Sequence, residues 1–422
     1  MTIQFSTSRI ILGAIILNTV LVFNATAQSL DSLVDQAIKN DPWAQSSSFT
    51  EQSLMQQAQA KTQWMDPTVQ VSLANLPTNS FDFNQEAMTQ FKVSAMQMLP
   101  NTSKLNLEKQ VQLDQAQLQP TMRENREAQL AFMIRKIWLE AYQTHLSIEL
   151  INQNYQWFEQ IIDLSQTRYQ TGISKGDSQN ILEAELELLK LDDRLLSLTS
   201  KKTQLLAQLS QYIFEPVSLI DNQWPKNITL ADTQVFIDDA IATHPLLKII
   251  DKRAQLLSTK SLLASTTDDL NWTVGVGYSY RADADNGMER SDLLSISVGV
   301  NIPYFSKNKT SHLVQANDSQ QQSLAFEKQT LINQLNAQFN TLLAKFNINE
   351  KRIELNDTQL IDKTLEYSDV ALNAYTTNSN DFSKVLKAKI GQLNTELTSL
   401  ELIKNKQQLT AEYQFLTTGI SL

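Results

Sequence analysis

The residues of this sequence that could carry chemistry are few, and their spacing brings none of them together along the chain. His145, His244 and His312 stand far apart and match no metal-ligand spacing. Glu185 and Glu187 lie on a helical stretch as ordinary solvated charges, without the partner groups that acid–base work needs. Met96 and Met98 share one face of a predicted strand. Thioethers there suit a soft ion such as Cu(I), while their plainer role is apolar filling. Cysteine is absent, which excludes disulfides, thiolate metal sites, a Cys nucleophile and a Cys-linked lipid. No Gly-rich phosphate loop, nucleophile elbow or zinc motif occurs. The expectation is a protein that is not an enzyme, with no cofactor and no metal site.

Composition points to long helices. The 422 residues contain only nine glycines and nine prolines, and Leu and Gln are the commonest residue types. A net charge of −10 offers no basic field for nucleic acid. Residues 1–27 read as a signal peptide: Arg9 is the positive region, Ile10 to Phe23 the apolar run, and Ala25-Thr26-Ala27 the cleavage site before Gln28. Beyond it, no segment approaches the roughly 20 apolar residues of a spanning helix. A membrane role therefore requires β-strands.

The chain is written twice. Leu33-Val34-Asp35-Gln36-Ala37-Ile38-Lys39-Asn40-Asp41-Pro42 returns as Phe236-Ile237-Asp238-Asp239-Ala240-Ile241-Ala242-Thr243-His244-Pro245. The same register carries Asp66 onto Asp269, Val71 onto Val274, Ser94 onto Ser297 and Pro100 onto Pro303. One residue later, Asp177, Leu182 and Ala184 fall on Asp381, Leu386 and Ala388. A duplicated architecture follows, with repeats at 28–232 and 233–422. Each has the order helix, strand pair, very long helix, turn, helix.

The long helices carry coiled-coil spacing. Leu130, Ile134, Ile137, Ala141, Thr144, Ile148, Ile151, Tyr155, Phe158 and Ile162 alternate steps of four and three. Leu188, Leu191, Leu195, Leu198, Lys202, Leu205 and Leu209 do the same. So do Leu335, Phe339, Leu342, Phe346, Asn349 and Ile353 in the second half, and Leu386, Ile390, Leu393, Leu397 and Leu400 after them. From Lys104 to Tyr169 the only helix breaker is Pro120, expected to kink the helix or mark a joint. That run spans roughly 100 Å. Helices at about Leu30–Gln63 and Asp177–Tyr212 would match it when stacked end to end.

Four strands are expected between the helices. Val69, Val71 and Leu73 form the apolar face of the first, and Phe91, Val93, Ala95 and Leu99 that of the second, with Gln97 as a polar interruption. Trp272, Val274, Val276, Tyr278 and Tyr280 form that of the third; Ile296, Val298, Val300 and Ile302 that of the fourth. The other faces are small or polar. This suits a transmembrane barrel with a wet interior, with Val69, Val71, Trp272, Val274, Val276, Ile296, Val298 and Val300 facing lipid. It equally suits a sandwich with one solvated face. Four strands do not close a barrel, so two, three or four chains would supply about eight, twelve or sixteen.

With these features in place, the sequence resembles the outer membrane efflux family typified by TolC, over essentially the whole mature chain. The local marks are Ala-Ile-Lys-Asn-Asp-Pro at 37–42 and Arg168-Tyr169-Gln170-Thr171-Gly172-Ile173-Ser174, followed by Asp177 and Ile181-Leu182-Glu183-Ala184-Glu185. Met96-Gln97-Met98-Leu99-Pro100 with Ser103-Lys104 is similar to the heavy-metal, CzcC-like branch. The resemblance implies a mainly α fold with a small transmembrane β part: a homotrimer of twelve strands in outer membrane lipids above a periplasmic α-barrel. It also implies a periplasmic adaptor and an inner-membrane pump, of RND or ABC type, that meet the helix tips and select the exported substrate. The family's acidic residues beyond the second tip are replaced here by Lys384 and Lys387. Arg168, Asp177, Glu183, Asp381, Lys384 and Lys387 are the candidates for closing the tip, although the plainer role of Asp177 and Asp381 is helix N-capping and that of Glu183, Lys384 and Lys387 a solvated charged face. The alternative reading is a periplasmic adaptor or structural coiled-coil protein, which would place its helical hairpin once, between β-domains.

Overall fold

The computed structural model describes residues 29–170, 177–217, 223–226, 228, 230–305, 307–377 and 382–419. The expected signal at 1–27 and Asp381 lie outside them. Helices α1 (Leu30–Asn40) and α2 (Pro42–Ala60) lead into strands β1 (Thr68–Ala74) and β2 (Gln90–Leu99). Then come the 69-residue α3 (Thr102–Gln170) and α4 (Asp177–Ile213). The order repeats with α5 (Gln234–Thr243), α6 (Pro245–Ser265), β3 (Asn271–Tyr280), β4 (Leu293–Asn301) and α7 (Lys307–Leu355). A π-turn at Asn356–Leu360 joins α7 to α8 (Ile361–Thr376), and α9 (Phe382–Leu416) completes the described helices.

Two expectations about helix continuity are corrected. The first is the single helix at Leu30–Gln63, which is broken at Asp41, as its counterpart is broken at His244. The following prolines disfavour helical backbone at these positions, and both residues are extended. Each then caps the next helix: an Asp41 carboxylate oxygen accepts from the Trp43 amide at 3.3 Å, and His244 Nδ1 from the Leu246 amide at 3.3 Å. The second is the joint expected at Pro120, since α3 continues as helix through that residue. Bonds to both neighbouring helices hold α3 here: Ser47 Oγ donates to Gln119 at 2.9 Å, and Lys252 Nζ donates to Gln117 at 3.3 Å. Tertiary contact outweighs the local penalty of a missing amide.

The strands form one antiparallel sheet in the order β1-β2-β3-β4. The strand pairs of the two repeats therefore join through β2 and β3, with Val93 opposite Tyr278 and Leu99 opposite Trp272. The helices follow the same lateral order. Near the sheet α2 packs on α3, α3 on α6, and α6 on α7. Farther away α4 packs on α3, α3 on α9, and α9 on α7 and α8. The chain is thus four columns: β1 with α1, α2 and α4; β2 with α3; β3 with α5, α6 and α9; and β4 with α7 and α8.

Burial follows the heptads. All ten predicted seam residues of α3, from Leu130 to Ile162, are buried or half-buried. One core joins α1, the middle of α3 and the end of α4, around Leu33, Ile134, Trp138 and Ile213. Its counterpart joins α5, α6, α7 and the end of α9, around Ile241, Phe339 and Tyr413. A third packs the tip half, with Ile151 and Phe158 of α3 against Phe382, Leu386 and Leu393 of α9. No described helix is long and apolar enough to cross a membrane.

Candidate functional site

The sheet has two chemically different faces, and its pairing register puts each on one side. Val69 pairs with Ala95, Ala95 with Val276, and Val276 with Ile296. Partners opposite one another share a face, so Val69, Val71, Val93, Trp272, Val274, Val276, Ile296, Val298 and Val300 form one apolar surface. The eight residues expected to face lipid all lie there, and all are exposed in the single chain. Gln97 is the exception on this surface. Its amide donates to the Met65 carbonyl at 2.9 Å and the Met98 carbonyl at 2.8 Å, which satisfies it at the strand end.

The opposite face carries Gln70, Ser72, Lys92, Ser94, Met96, Ser297 and Thr273, together with Gly275 and Gly277. A Cβ at Gly275 would lie 2.6 Å from Ser297 Oγ and 3.1 Å from Met96 Cγ, and one at Gly277 would lie 3.0 Å from Lys92 Cε. Glycine leaves room for the long Met96 and Lys92 side chains to lie across β3. Met96 and Met98 are both exposed on this side. Among the described residues, no group of three His, Cys, Asp or Glu side chains could hold a metal ion.

At the far end, the tip candidates separate. Arg168 lies in the last turn of α3, and Asp177 opens α4; their side chains fall outside what is described, as does Asp381. Glu183 reaches across to α9, where Ser383 Oγ donates to its carboxylate at 2.9 Å. Lys384 and Lys387 sit on the exposed side of α9, directed away from Val385, Leu386 and Ala388 in the tip core. Glu183 thus joins the two descending helices, while both lysines are presented outward.

Sequence reasoning missed the polar ties farther up the wall. Glu140 of α3 receives Lys201 of α4 on one side and Lys404 of α9 at 3.3 Å on the other. Burial raises the Glu140 pKa, but the two ammonium groups outweigh it and hold the carboxyl below its usual range. Arg126 pairs with buried Asp41 at 3.0 Å, and Arg123 with Glu51 at 2.6 Å. Arg194 of α4 donates to Asn394 of α9 at 3.1 Å. The legible signals were the polar Thr144, Tyr155, Lys202 and Asn349, standing at seam positions of a mainly apolar pattern. The buried Asn349 Nδ2 donates to the Leu402 carbonyl at 2.9 Å.

No protein-family model matches the chain, and no curated protein matches it. Solved structures do. CusC, described through changes accompanying folding and transmembrane channel formation, has a TM-score of 0.77 at 12% identity, covering 94% of this chain and 93% of its own. The outer membrane protein VceC from Vibrio cholerae has a TM-score of 0.73 at 14% identity, covering 92% and 96%. The open state of the MtrE outer membrane channel from Neisseria gonorrhoeae has a TM-score of 0.71 at 11% identity, covering 92% and 89%. The chain has the fold of these proteins.

Proposed function

We propose that this chain is one protomer of an outer-membrane efflux duct of the TolC type. The observation that carries the reading is the four-column layout: an amphipathic sheet with its apolar face bare, set above a helical wall some 100 Å tall. Both outer columns end in free edges, since β1 and β4 each have one partner. In lipid such edges require pairing. A homotrimer closes twelve strands in the outer membrane and twelve helical passes below it, in the arrangement the family resemblance implies. The apolar sheet face then meets outer membrane lipids, and the face bearing Lys92 and Ser94 lines a wet passage.

The duct conducts passively, without cofactor or nucleic acid. A periplasmic adaptor and an inner-membrane pump meet the tips, and the pump selects the substrate. The protein resides in the outer membrane of a Gram-negative cell and extends through the periplasm, after removal of residues 1–27. A periplasmic adaptor or structural coiled-coil protein would have no use for a bare apolar sheet face. The test is fractionation combined with deletion. The protein should partition with the outer membrane, and its loss should sensitise cells to whatever the partner pump expels. Recovery as a soluble periplasmic protein, or intact efflux without a compensating paralogue, would overturn the reading.

A further inference from the structure

Near the middle of the wall, α7 carries cations on one of its faces. Ile348 and Arg352 follow Lys345 by three and seven residues, a spacing that stacks all three on one side of a helix. With Lys136 of α3 and Leu409 of α9 they surround a cavity of about 590 Å³, the size of a small-ligand site. Ile348 is 58% exposed there. Lys136, Lys345 and Arg352 are exposed, and none of them forms an ion pair with a described residue. The neighbouring carboxylates are engaged elsewhere: Glu140 by Lys201 and Lys404, and Glu350 by Lys406 at 2.8 Å. Glu412 is the one acidic residue of the lining, against three cations. The net charge of the whole chain is −10, so the local excess has the opposite sign to the molecule.

The cavity opens on one face of the helical layer. On the other face, Gln407, Thr410, Ala411 and Gln414 of α9 line a separate cavity with Leu30 of α1 and Trp224, and Gln407 donates to the Pro225 carbonyl at 3.1 Å. At about 100° per residue, Asn405, Leu409 and Glu412 point to the opposite side. Twelve helical passes set about 10 Å apart leave a passage about 30 Å wide. Extra segments such as α1 would nearly fill it from within, so in a ring they lie outside and the cationic cavity faces the passage.

We infer that this cavity binds organic anions with an apolar body, and that such amphiphilic anions are the class of substrate the duct carries. The inference rests on the duct proposed above. The anionic head sits among Lys136, Lys345 and Arg352, where the planar Arg352 guanidinium can pair two oxygens of a carboxylate or sulfonate. The apolar body lies against Phe132, Ile348 and Leu409. Exposed cations hold an anion loosely, but a concave group of them raises its local concentration. Loose binding suits a passage, since a substrate held tightly would not leave. Each chain builds one such site by itself, and a ring repeats it at a single height.

Equilibrium dialysis of the full-length protein in nanodiscs of uncharged lipid tests the site, with empty nanodiscs as the blank. The probe is 2-naphthalenesulfonate, compared with 2-naphthalenemethanol and a naphthylmethyl-trimethylammonium salt. The sulfonate should bind saturably, once per chain, and more weakly as salt is raised. The neutral and cationic probes should bind about tenfold more weakly or worse, and methanesulfonate, which has no apolar body, should not compete. Lys345→Gln with Arg352→Gln should lose the sulfonate by a similar factor while the particle keeps its mass. Lys351→Gln, at an exposed position outside the lining, should bind as wild type. Equal binding of all three probes, or a loss at Lys351→Gln as large as at the double variant, would overturn the inference. A particle of single-chain mass would instead overturn the ring, and binding, being built by one chain, would still be read.

Discussion

Glu140 joins three helices, and its removal has a definite sign. Glu140→Gln leaves Lys201 and Lys404 without their shared carboxylate, and Lys404 is largely buried. The expected loss is about 1–3 kcal/mol, read as a lower thermal midpoint. The carboxyl has a folded pKa below its unfolded value. Its contribution is therefore present above the unfolded pKa and lost as pH falls through the folded one. His244 has the same direction for a different reason. Burial pushes its imidazole down, with the Phe415 backbone and Glu124 partly opposing. The unfolded chain then binds the proton more readily, so stability should decline as pH drops below about 6.5. His244→Asn keeps a capping side chain and should flatten that part of the stability–pH curve; an unchanged slope would exclude His244 as its source. The outward Lys384 and Lys387 lead to a functional test. Reversing both to Glu should raise single-channel conductance in planar bilayers or change its cation preference, and wild-type values for both would make them a plain solvated face. These residue roles were the least legible in the sequence. A heptad pattern marks which positions are buried, but not which charged side chains meet across helices far apart in the chain.

At the scale of elements, periodicity did most of the work. Alternation located all four strands to within a few residues, and the three-four spacing of Leu130 to Ile162 placed the seam of α3. The failures came where local and tertiary forces compete. Asp41-Pro42 broke a helix because the proline acts on the residue before it, whereas Pro120 did not, because α2 and α6 grip α3 on both sides. The π-turn at Asn356–Leu360 was equally hidden, because the predicted seam ended at Ile353, short of it. The element most sensitive to a single change is the sheet. Val274→Arg or Val298→Arg places a charge on the apolar face, at a cost of up to about 2–4 kcal/mol mid-membrane. Either should reduce the assembled oligomer recovered from the outer membrane. The same substitution at Ser297, on the polar face, should be tolerated better.

For the whole molecule, the duplication was the most informative sequence feature, because it fixed the order of elements in both halves before any contact was known. It did not fix how the halves meet. The pairing of β2 with β3 and of α3 with α6 and α9 is non-local, and it turns two similar halves into one continuous four-column layer. Nor did it fix the number of copies: four amphipathic strands demand partners, and barrels of eight, twelve or sixteen all satisfy that demand. The claim on which the account depends is that three such layers close into one duct. Native mass measurement of the protein extracted from the outer membrane in mild detergent tests it most directly. The account predicts a single species of three chains, and a stable one-chain or two-chain particle would contradict it.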